Sequence, residues 1–409
     1  MRRISINFTN FYLVLILGAL NTLSAVSIDM YLPAFAHIAR DLSSSVEMVS
    51  LSVSSYFCGM SVGQPIYGPL LDRFGRKKPL YAGMSIYLFA SICCFFAASV
   101  ADLILIRFLQ GFGGCAASIA ATAMVRDLFS VSESSKVFSR FELILGVSPL
   151  MAPGAGSLIT HYLGWRMIFV LLAVIAIVLL GVSRLVLPDV AQPDTSVSLN
   201  PKAVTSTFMQ VVKVPHFYTY ALSGSFSFSG LFVYVSGASI IFMDTFRMSS
   251  STFSLLFALM SLSFVGGSQI NIYLQRRHSS ERIFKIAVIT QAILGILSLS
   301  MAYSGLVGPF CTVVGLFLYL SCIGLTLPNS SALSLAPFSR NAGAAAAALR
   351  FLQIGVGGIT SSSIGLFTHT SCLSIFMMMT VSAVLAVLSL LWGERTPTPK
   401  NLDLPTSEH

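Results

Sequence analysis

Twelve long apolar segments follow one another along the chain and are separated by short polar stretches. Each has about 20 residues or more, the length of an α-helix that crosses a hydrocarbon core about 30 Å thick. Six come before a polar stretch between Pro188 and Pro215, and six come after it. The predicted spans are residues 11–33, 47–71, 79–99, 102–125, 137–160, 165–187, 217–243, 252–274, 283–303, 308–328, 341–366 and 371–392.

This pattern predicts an all-α membrane protein built from two six-helix halves. The predicted units are an N-terminal bundle (1–187), a cytoplasmic linker (188–216), a C-terminal bundle (217–393) and a cytoplasmic tail (394–409). Two related halves packed about an axis along the membrane normal are a common plan among transporters. A trace of a repeat supports it, because Gln275-Arg-Arg277 follows the eighth span where Asp72-Arg73 follows the second.

The charges set the expected orientation. Charged residues make up only 10% of the chain, against roughly 25% in soluble domains. With the N-terminus in the cytoplasm, the inner loops and adjoining helix ends hold all but four of the 24 Lys and Arg residues. We therefore expect a multi-pass inner-membrane protein with both termini cytoplasmic, and the net charge of +9 gives no reason to expect nucleic-acid binding.

Cofactor chemistry has no sequence signal. The seven cysteines lie in apolar runs without the C-x-x-C spacing of metal or redox sites, and no Walker-type phosphate loop is present in the sequence. We expect no cofactor, no bound metal and no enzymatic activity.

One cytoplasmic loop carries five charges within seven residues, at positions 72–78. It reads Gly68-Pro-Leu-Leu-Asp72-Arg73-Phe-Gly75-Arg76-Lys77. This stretch resembles the signature loop of the major facilitator superfamily, Gly-x-x-x-Asp-Arg-x-Gly-Arg-Lys/Arg. The resemblance implies a gating role, in which the acidic residue faces the N-terminus of the eleventh helix and an arginine pairs with an acid at the end of the fourth. Asp127 is in position to be that acid.

Three ionisable residues fall inside predicted spans: Asp29 in the first, Arg107 in the fourth and Glu142 in the fifth. Each needs a partner or a function, since an arginine at mid-helix costs about 2.5–3.5 kcal/mol on insertion scales. Asp29 lies about 18 residues into its span, roughly 27 Å along a helix. Arg107 lies about five residues into a span that enters from the opposite side. At this similar level the two could form a pair, or each could reach the outer headgroups separately.

Further motifs narrow the resemblance to the bicyclomycin-resistance/CflA group of drug:proton antiporters. Asp29-Met30-Tyr31-Leu32-Pro33 resembles that group's first-helix motif. Arg107-Phe-Leu-Gln110-Gly111 resembles the fourth-helix motif, whose arginine is implicated in proton coupling. The fifth span resembles the antiporter motif, with Pro149, Pro153, Gly154 and Gly156, although its leading glycine and its ending depart from the usual form. Glu142 has no counterpart in the group, and it is either a coupling residue or a side chain that reaches the cytoplasmic interface.

The predicted substrate cavity is aromatic. Its candidate residues are Tyr31, Tyr56, Gln110, Phe226, Phe228 and Tyr234. Aromatic rings could hold an amphipathic or cationic drug by stacking or cation–π contact, or they could face lipid and neighbouring helices. We expect a monomeric transporter that exports drug-like molecules in exchange for protons by alternating access. The alternatives are transport of a siderophore or other endogenous metabolite, and a membrane receptor that moves nothing.

Overall fold

A computed structural model describes residues 8–129, 131–188, 201–305, 308–338, 342–366 and 372–394. Within these ranges the chain forms helices joined by short turns. The helices are α1 (Phe8–Asp29), α2 (Phe35–Asp41), α3 (Val46–Phe74), α4 (Lys77–Phe95), α5 (Val100–Leu128), α6 (Val131–Leu163), α7 (Arg166–Val186), α8 (Pro201–Val212), α9 (Pro215–Ser239), α10 (Ser250–Leu274), α11 (Ser280–Tyr303), α12 (Pro309–Leu335), α13 (Ala342–Ser362) and α14 (Cys372–Glu394).

The twelve predicted spans coincide with the twelve long helices, which are all of these except α2 and α8. In the part of the chain that the structure describes, ten helices are long and apolar enough to cross a membrane. The other two long helices, α3 and α6, have 29 and 33 residues. The predicted all-α membrane fold is therefore confirmed.

In each half, two helices that follow the same order along the chain approach so closely that their backbones touch. Gly111 of α5 lies so close to α3 that a Cβ atom there would collide with the carbonyl oxygen of Tyr56. In the second half, a Cβ atom at Gly267 of α10 would collide in the same way with the carbonyl oxygen of Ser321 in α12. Glycine permits such close packing of membrane helices. The sequence gives only a trace of a repeat between the halves. In the structure, the contact of α3 with α5 in the first half corresponds to the contact of α10 with α12 in the second.

The two halves meet through α3 against α13 and α6 against α10. One large buried cluster takes residues from both halves, including Tyr31 and Phe57 from the first and Phe232 and Tyr234 from the second. We call it the interface cluster. It lies where α1 ends and α3 begins, the side predicted to face outward. At the opposite end the buried clusters belong to single halves, so the halves are packed together on the predicted outer side.

A short helix that the sequence pattern did not predict, α8, lies within the polar linker. It packs against α9 and α13, and the rings of Phe208 and Phe351 meet edge to face at 6.3 Å. Val211 shares a small buried cluster with Ala345 and Ala348 of α13. This part of the linker is therefore attached to the second half. Residues 189–200 and the predicted tail beyond Glu394 lie outside the described residues.

Candidate functional site

Asp29 is the last residue of α1. A short turn and a 3-10 helix over Leu32–Ala34 follow it, because Pro33 cannot continue the hydrogen-bond ladder of α1. The Asp29 side chain is buried, with 7% of its surface exposed. One of its carboxylate oxygens accepts a hydrogen bond of 2.8 Å from the Ser148 hydroxyl of α6. No ion pair to Asp29 occurs among the described residues.

Arg107 lies in α5 and is fully buried. Its Nη1 donates to Oε1 of Gln110 at 2.7 Å and to the carbonyl oxygen of Ser27 at 3.4 Å. Gln110 in turn donates from Nε2 to the hydroxyl of Ser91 at 2.8 Å. The arginine and glutamine of the fourth-helix motif thus form one hydrogen-bonded unit that reaches from α5 to α1 and α4.

The two residues expected to pair are at the same level but do not pair. Arg107 reaches α1 at Ser27, two residues before Asp29, so the matched depth agrees with the sequence prediction. The Asp29 carboxylate turns instead toward Ser148 of α6. Aromatic rings cover the guanidinium, with the centroids of Tyr31 and Tyr56 at 4.7 and 4.5 Å from its central carbon. The expected direct contact is therefore wrong for this conformation.

The antiporter motif places α6 against the turn that follows Asp29. Pro149 and Pro153 lie within α6. A Cβ atom at Gly156 would collide with the carbonyl oxygen of Met30, whereas nothing lies within 4 Å of a Cβ atom at Gly154. Glu142 is also on α6, but its side chain lies outside the described part of the structure. Of the two glycines Gly154 and Gly156, Gly156 is the one at a tight contact.

The signature loop forms a charge cluster at the other end of the bundle. Arg76 donates from Nε to Asp127 at 2.7 Å and from Nη1 to Asp72 at 2.5 Å. Burial lowers the pKa of the Arg76 guanidinium, but its bonds to Asp127 and Asp72 outweigh burial, so that the pKa lies above its ordinary value. Gly75 makes the turn with φ of +79°, a conformation that glycine adopts readily. The acid at the end of the fourth span, Asp127, thus forms its ion pair with Arg76 of the signature loop.

The cluster as described is confined to the first half. Arg73 lies in the last turn of α3, and Gly68 has open space around it. Asp72 is about half exposed and bonds within its own half. The expected contact of Asp72 with the start of the eleventh span would involve residues 339–341, which lie outside the described residues.

The six candidate cavity residues do not line one open surface in this conformation. Tyr31, Tyr56 and Gln110 are fully buried around Arg107. Tyr234 stacks on Phe257 with centroids 5.8 Å apart. Phe228 packs against the interface cluster, and Phe226 packs against a separate cluster of the second half. Protein atoms, not an open cavity, surround the three tyrosines.

Comparison with known proteins settles the family. The model of the Major Facilitator Superfamily matches residues 17–362. The chain belongs to the major facilitator superfamily. It is 33% identical over 380 residues to the uncharacterized MFS-type transporter YdgK of Bacillus subtilis, covering 92% of this chain and 94% of that protein. It is 27% identical over 381 residues to the bicyclomycin resistance protein homolog of Haemophilus influenzae, covering 93% and 96%.

Solved structures agree on the fold. A crystal structure of a D-xylose–proton symporter superposes with a TM-score of 0.72 at 16% identity, over 95% of this chain and 98% of that one. At this identity the likeness shows the fold alone. The chain is a facilitator-superfamily transporter and not an enzyme, as the sequence predicted.

Sequence reasoning missed three residues of this facilitator's candidate site. Ser148, which donates to Asp29, stands directly before Pro149 of the antiporter motif, and a hydroxyl inside a span was its only signal. Phe57 and Phe232 form a ring contact between the halves, with centroids 4.3 Å apart. No periodic pattern distinguishes these two phenylalanines from rings that face lipid.

Several buried polar groups in the second half of the transporter form neutral hydrogen-bonded pairs. The Ser227 hydroxyl donates to Gln291 at 2.5 Å and meets Thr326 at 2.7 Å. Asn329 donates to Asn271 at 2.6 Å. Of the residues whose burial the structure describes, Asp29 and Arg107 are the only buried charged side chains, and both belong to the first half.

Proposed function

We propose that this transporter exports drug-like small molecules in exchange for protons, and that Asp29 binds the coupled proton. The observation that carries the proposal is a carboxyl group buried inside a membrane-spanning bundle, with a neutral hydroxyl as its hydrogen-bond partner and no cation paired with it among the described residues. Intramembrane carboxyl groups are costly and are typical of proton pathways.

The surroundings of Asp29 support a role in coupling. Met30 and Tyr31, which follow it, belong to the interface cluster together with Tyr234 of the second half. The turn after Asp29 also contacts α9 and α10. Alternating access rocks one half against the other. Separation of the halves on this side would remove the packing next to Asp29 and admit water to it, so its proton exchange would depend on conformation.

The proposed cargo rests on the relatives and on the aromatic interface. One relative is named a bicyclomycin resistance protein homolog, which favours export of a drug over uptake of a nutrient. Phe228, Phe232 and Phe57 form a chain of edge-on rings between the halves, with centroids 5.0 and 4.3 Å apart. Apolar and aromatic drugs suit such a surface once the halves part. We further propose an inner-membrane location, cytoplasmic termini and a monomeric working unit.

The test uses purified protein in liposomes, with ethidium as a fluorescent cationic probe and an imposed pH gradient. Asp29→Asn should abolish uphill, pH-driven export while the protein still inserts and binds the probe. Ser148→Ala should keep coupling but shift its pH dependence, because the carboxyl loses its donor and not its proton. The matched control is Asp244→Asn, which changes an exposed carboxylate of the second half and should leave transport unchanged.

Two results would contradict the proposal. A well-folded Asp29→Asn protein that drives export with an unchanged dependence on the pH gradient would exclude Asp29 as the proton site. Wild-type protein that moves neither ethidium nor any other compound of a drug panel, while it moves an endogenous metabolite or siderophore, would exclude drug export.

A further inference from the structure

Arg107 is a buried charge without an acid beside it. Its side chain is fully buried, and its Nε and Nη2 groups have no hydrogen-bond acceptor among the described residues. Its hydrogen bonds from Nη1 go to the neutral oxygens of Gln110 and Ser27. A buried arginine ordinarily pairs with a carboxylate, and the one buried carboxylate described, Asp29, bonds to Ser148 instead.

Aromatic rings take the place of the missing acid. The guanidinium carbon lies 4.7 Å from the centroid of Tyr31, 4.5 Å from that of Tyr56 and 5.9 Å from that of Phe169. All three rings are fully buried. A cation within about 6 Å of a ring face is attracted by the ring's quadrupole, and the attraction is strongest where water is excluded. Rings from α3, from α7 and from the turn after α1 therefore form one neutral cage.

Independent contacts fix the two nearer rings. The Tyr31 hydroxyl meets the Ser52 hydroxyl at 2.9 Å, and the Tyr31 ring packs against Phe35 at 5.2 Å. Tyr56 is held close to α5 because Gly111 has no side chain to push the Tyr56 backbone away. The Tyr56 hydroxyl lies beside the hydroxyls of Ser24 and Ser27, which interact with it. The close approach of the α3 and α5 backbones at Gly111 thus helps to determine where the Tyr56 ring lies.

From this geometry we infer that Tyr31 and Tyr56 are positioning residues that act as neutral counter-groups for Arg107 and are not part of the drug site. Their ring faces stabilise the charged guanidinium where a carboxylate would otherwise stand. The rings that suit a cationic drug are already occupied by the protein's own cation. Asp29 consequently has no fixed cation and can exchange its proton. This last consequence rests on the proposed function, whereas the cage itself does not.

The cage is tested by lowering the electron density on the face of the Tyr56 ring while keeping the shape of the ring. Tyr56→Phe removes the hydroxyl and keeps the ring, and it provides the reference protein for the whole series, so any effect of the lost hydroxyl is common to all its members. Phenylalanine carrying one, two or three ring fluorines is then incorporated at position 56, since fluorine withdraws electron density from the face. We expect a stepwise fall in melting temperature. The same series at Phe253, a fully buried ring with no cation over it among the described residues, should give no such trend.

A second background links the effect to Arg107. In an Arg107→Met protein the fluorine series at position 56 should no longer change the melting temperature. The slope is the change in melting temperature per added fluorine. If Arg107→Met does not fold, the comparison of this slope between positions 56 and 253 is the test. Equal slopes at the two positions, or an unchanged slope in Arg107→Met, would overturn the cage. These measurements need no transport, so they are independent of whether the protein exports drugs.

Transport by the same proteins distinguishes positioning from drug contact. Fluorination at position 56 should shift the pH profile of ethidium export and leave the KM for ethidium unchanged, because the ring acts through Arg107. An altered KM with an unchanged pH profile would place Tyr56 in the drug site and overturn the assignment.

Discussion

Gly156 and Gly154 make a matched pair that tests how α6 is packed. A Cβ atom at Gly156 would lie 2.8 Å from the carbonyl carbon of Met30 and 3.1 Å from its Cα, besides colliding with the carbonyl oxygen. These are backbone atoms, so no side-chain rotation relieves the contact, and α6 or the turn after Asp29 must move. Gly154 lies two residues earlier in the same motif and faces open space.

The expected magnitude follows from two opposing effects. Replacing a helix-interior glycine by alanine favours the helix by up to about 1 kcal/mol, and this gain applies at both positions. Overpacking a close contact costs about 1–3 kcal/mol, and this cost applies at Gly156 alone. The difference between the two variants isolates the contact. Gly156→Ala should therefore be less stable than Gly154→Ala by about 1–3 kcal/mol.

The measurement is thermal unfolding of both purified variants in detergent, together with pH-driven ethidium export in liposomes. Gly154→Ala should match or exceed the wild-type melting temperature and keep transport. Gly156→Ala should melt lower and lose transport, because Met30 adjoins the proposed proton site. If Gly154→Ala were as damaging as Gly156→Ala, the close approach of α6 to this turn would be refuted.

Two further predictions concern hydrogen-bonded pairs. Arg76→Ala and Asp127→Asn should each impair transport, and the double variant should cost less than the sum of the two single losses, because bonded partners are not additive; additive losses in a transport assay would contradict the pairing. Asn329→Ala should lower the unfolding free energy by about 1–3 kcal/mol, since it leaves the buried Asn271 and the amide of Gln275 without a partner. If Asn329→Ala shifted the pH profile of transport, these hydrogen-bonded amides would not have the purely structural role expected of neutral groups.

The sequence alone was sufficient to predict the long helices and the depth at which Asp29 and Arg107 lie within them. Span length and hydropathy predicted the long helices, and counting residues along a helix placed Arg107 level with the end of α1, as its contact with Ser27 shows. The rotation of each helix could not be read in this way. It depends on contacts such as Gly111 against Tyr56, which join residues far apart in the chain.

Helix rotation accounts for two contacts that the sequence did not predict. Asp29 faces Ser148 and not Arg107, because α6 approaches the end of α1 closely at Gly156. Two aromatic residues of the predicted cavity, Tyr31 and Tyr56, place their rings over Arg107 in this conformation. The composition of a cation–π site does not say whether the cation is a ligand or a side chain. Helix α8 was missed for another reason, since its apolar positions span only 12 residues within a polar stretch.

The two halves share one fold but differ in how they satisfy their interiors, and this difference bears on the mechanism. Buried groups of the second half, such as Gln291 and Asn329, are amides and hydroxyls that do not change charge with pH. The first half contains the buried carboxyl and the buried guanidinium. Among the buried side chains that the structure describes, protonation can therefore alter only the first half's face of the interface, while the pairs made by Gln291 and Asn329 keep their hydrogen bonds. A proton bound at Asp29 would then change how well the first half packs against the second half, whose own buried hydrogen bonds stay the same. Such a difference in fit between two conformations is what population shift between them requires.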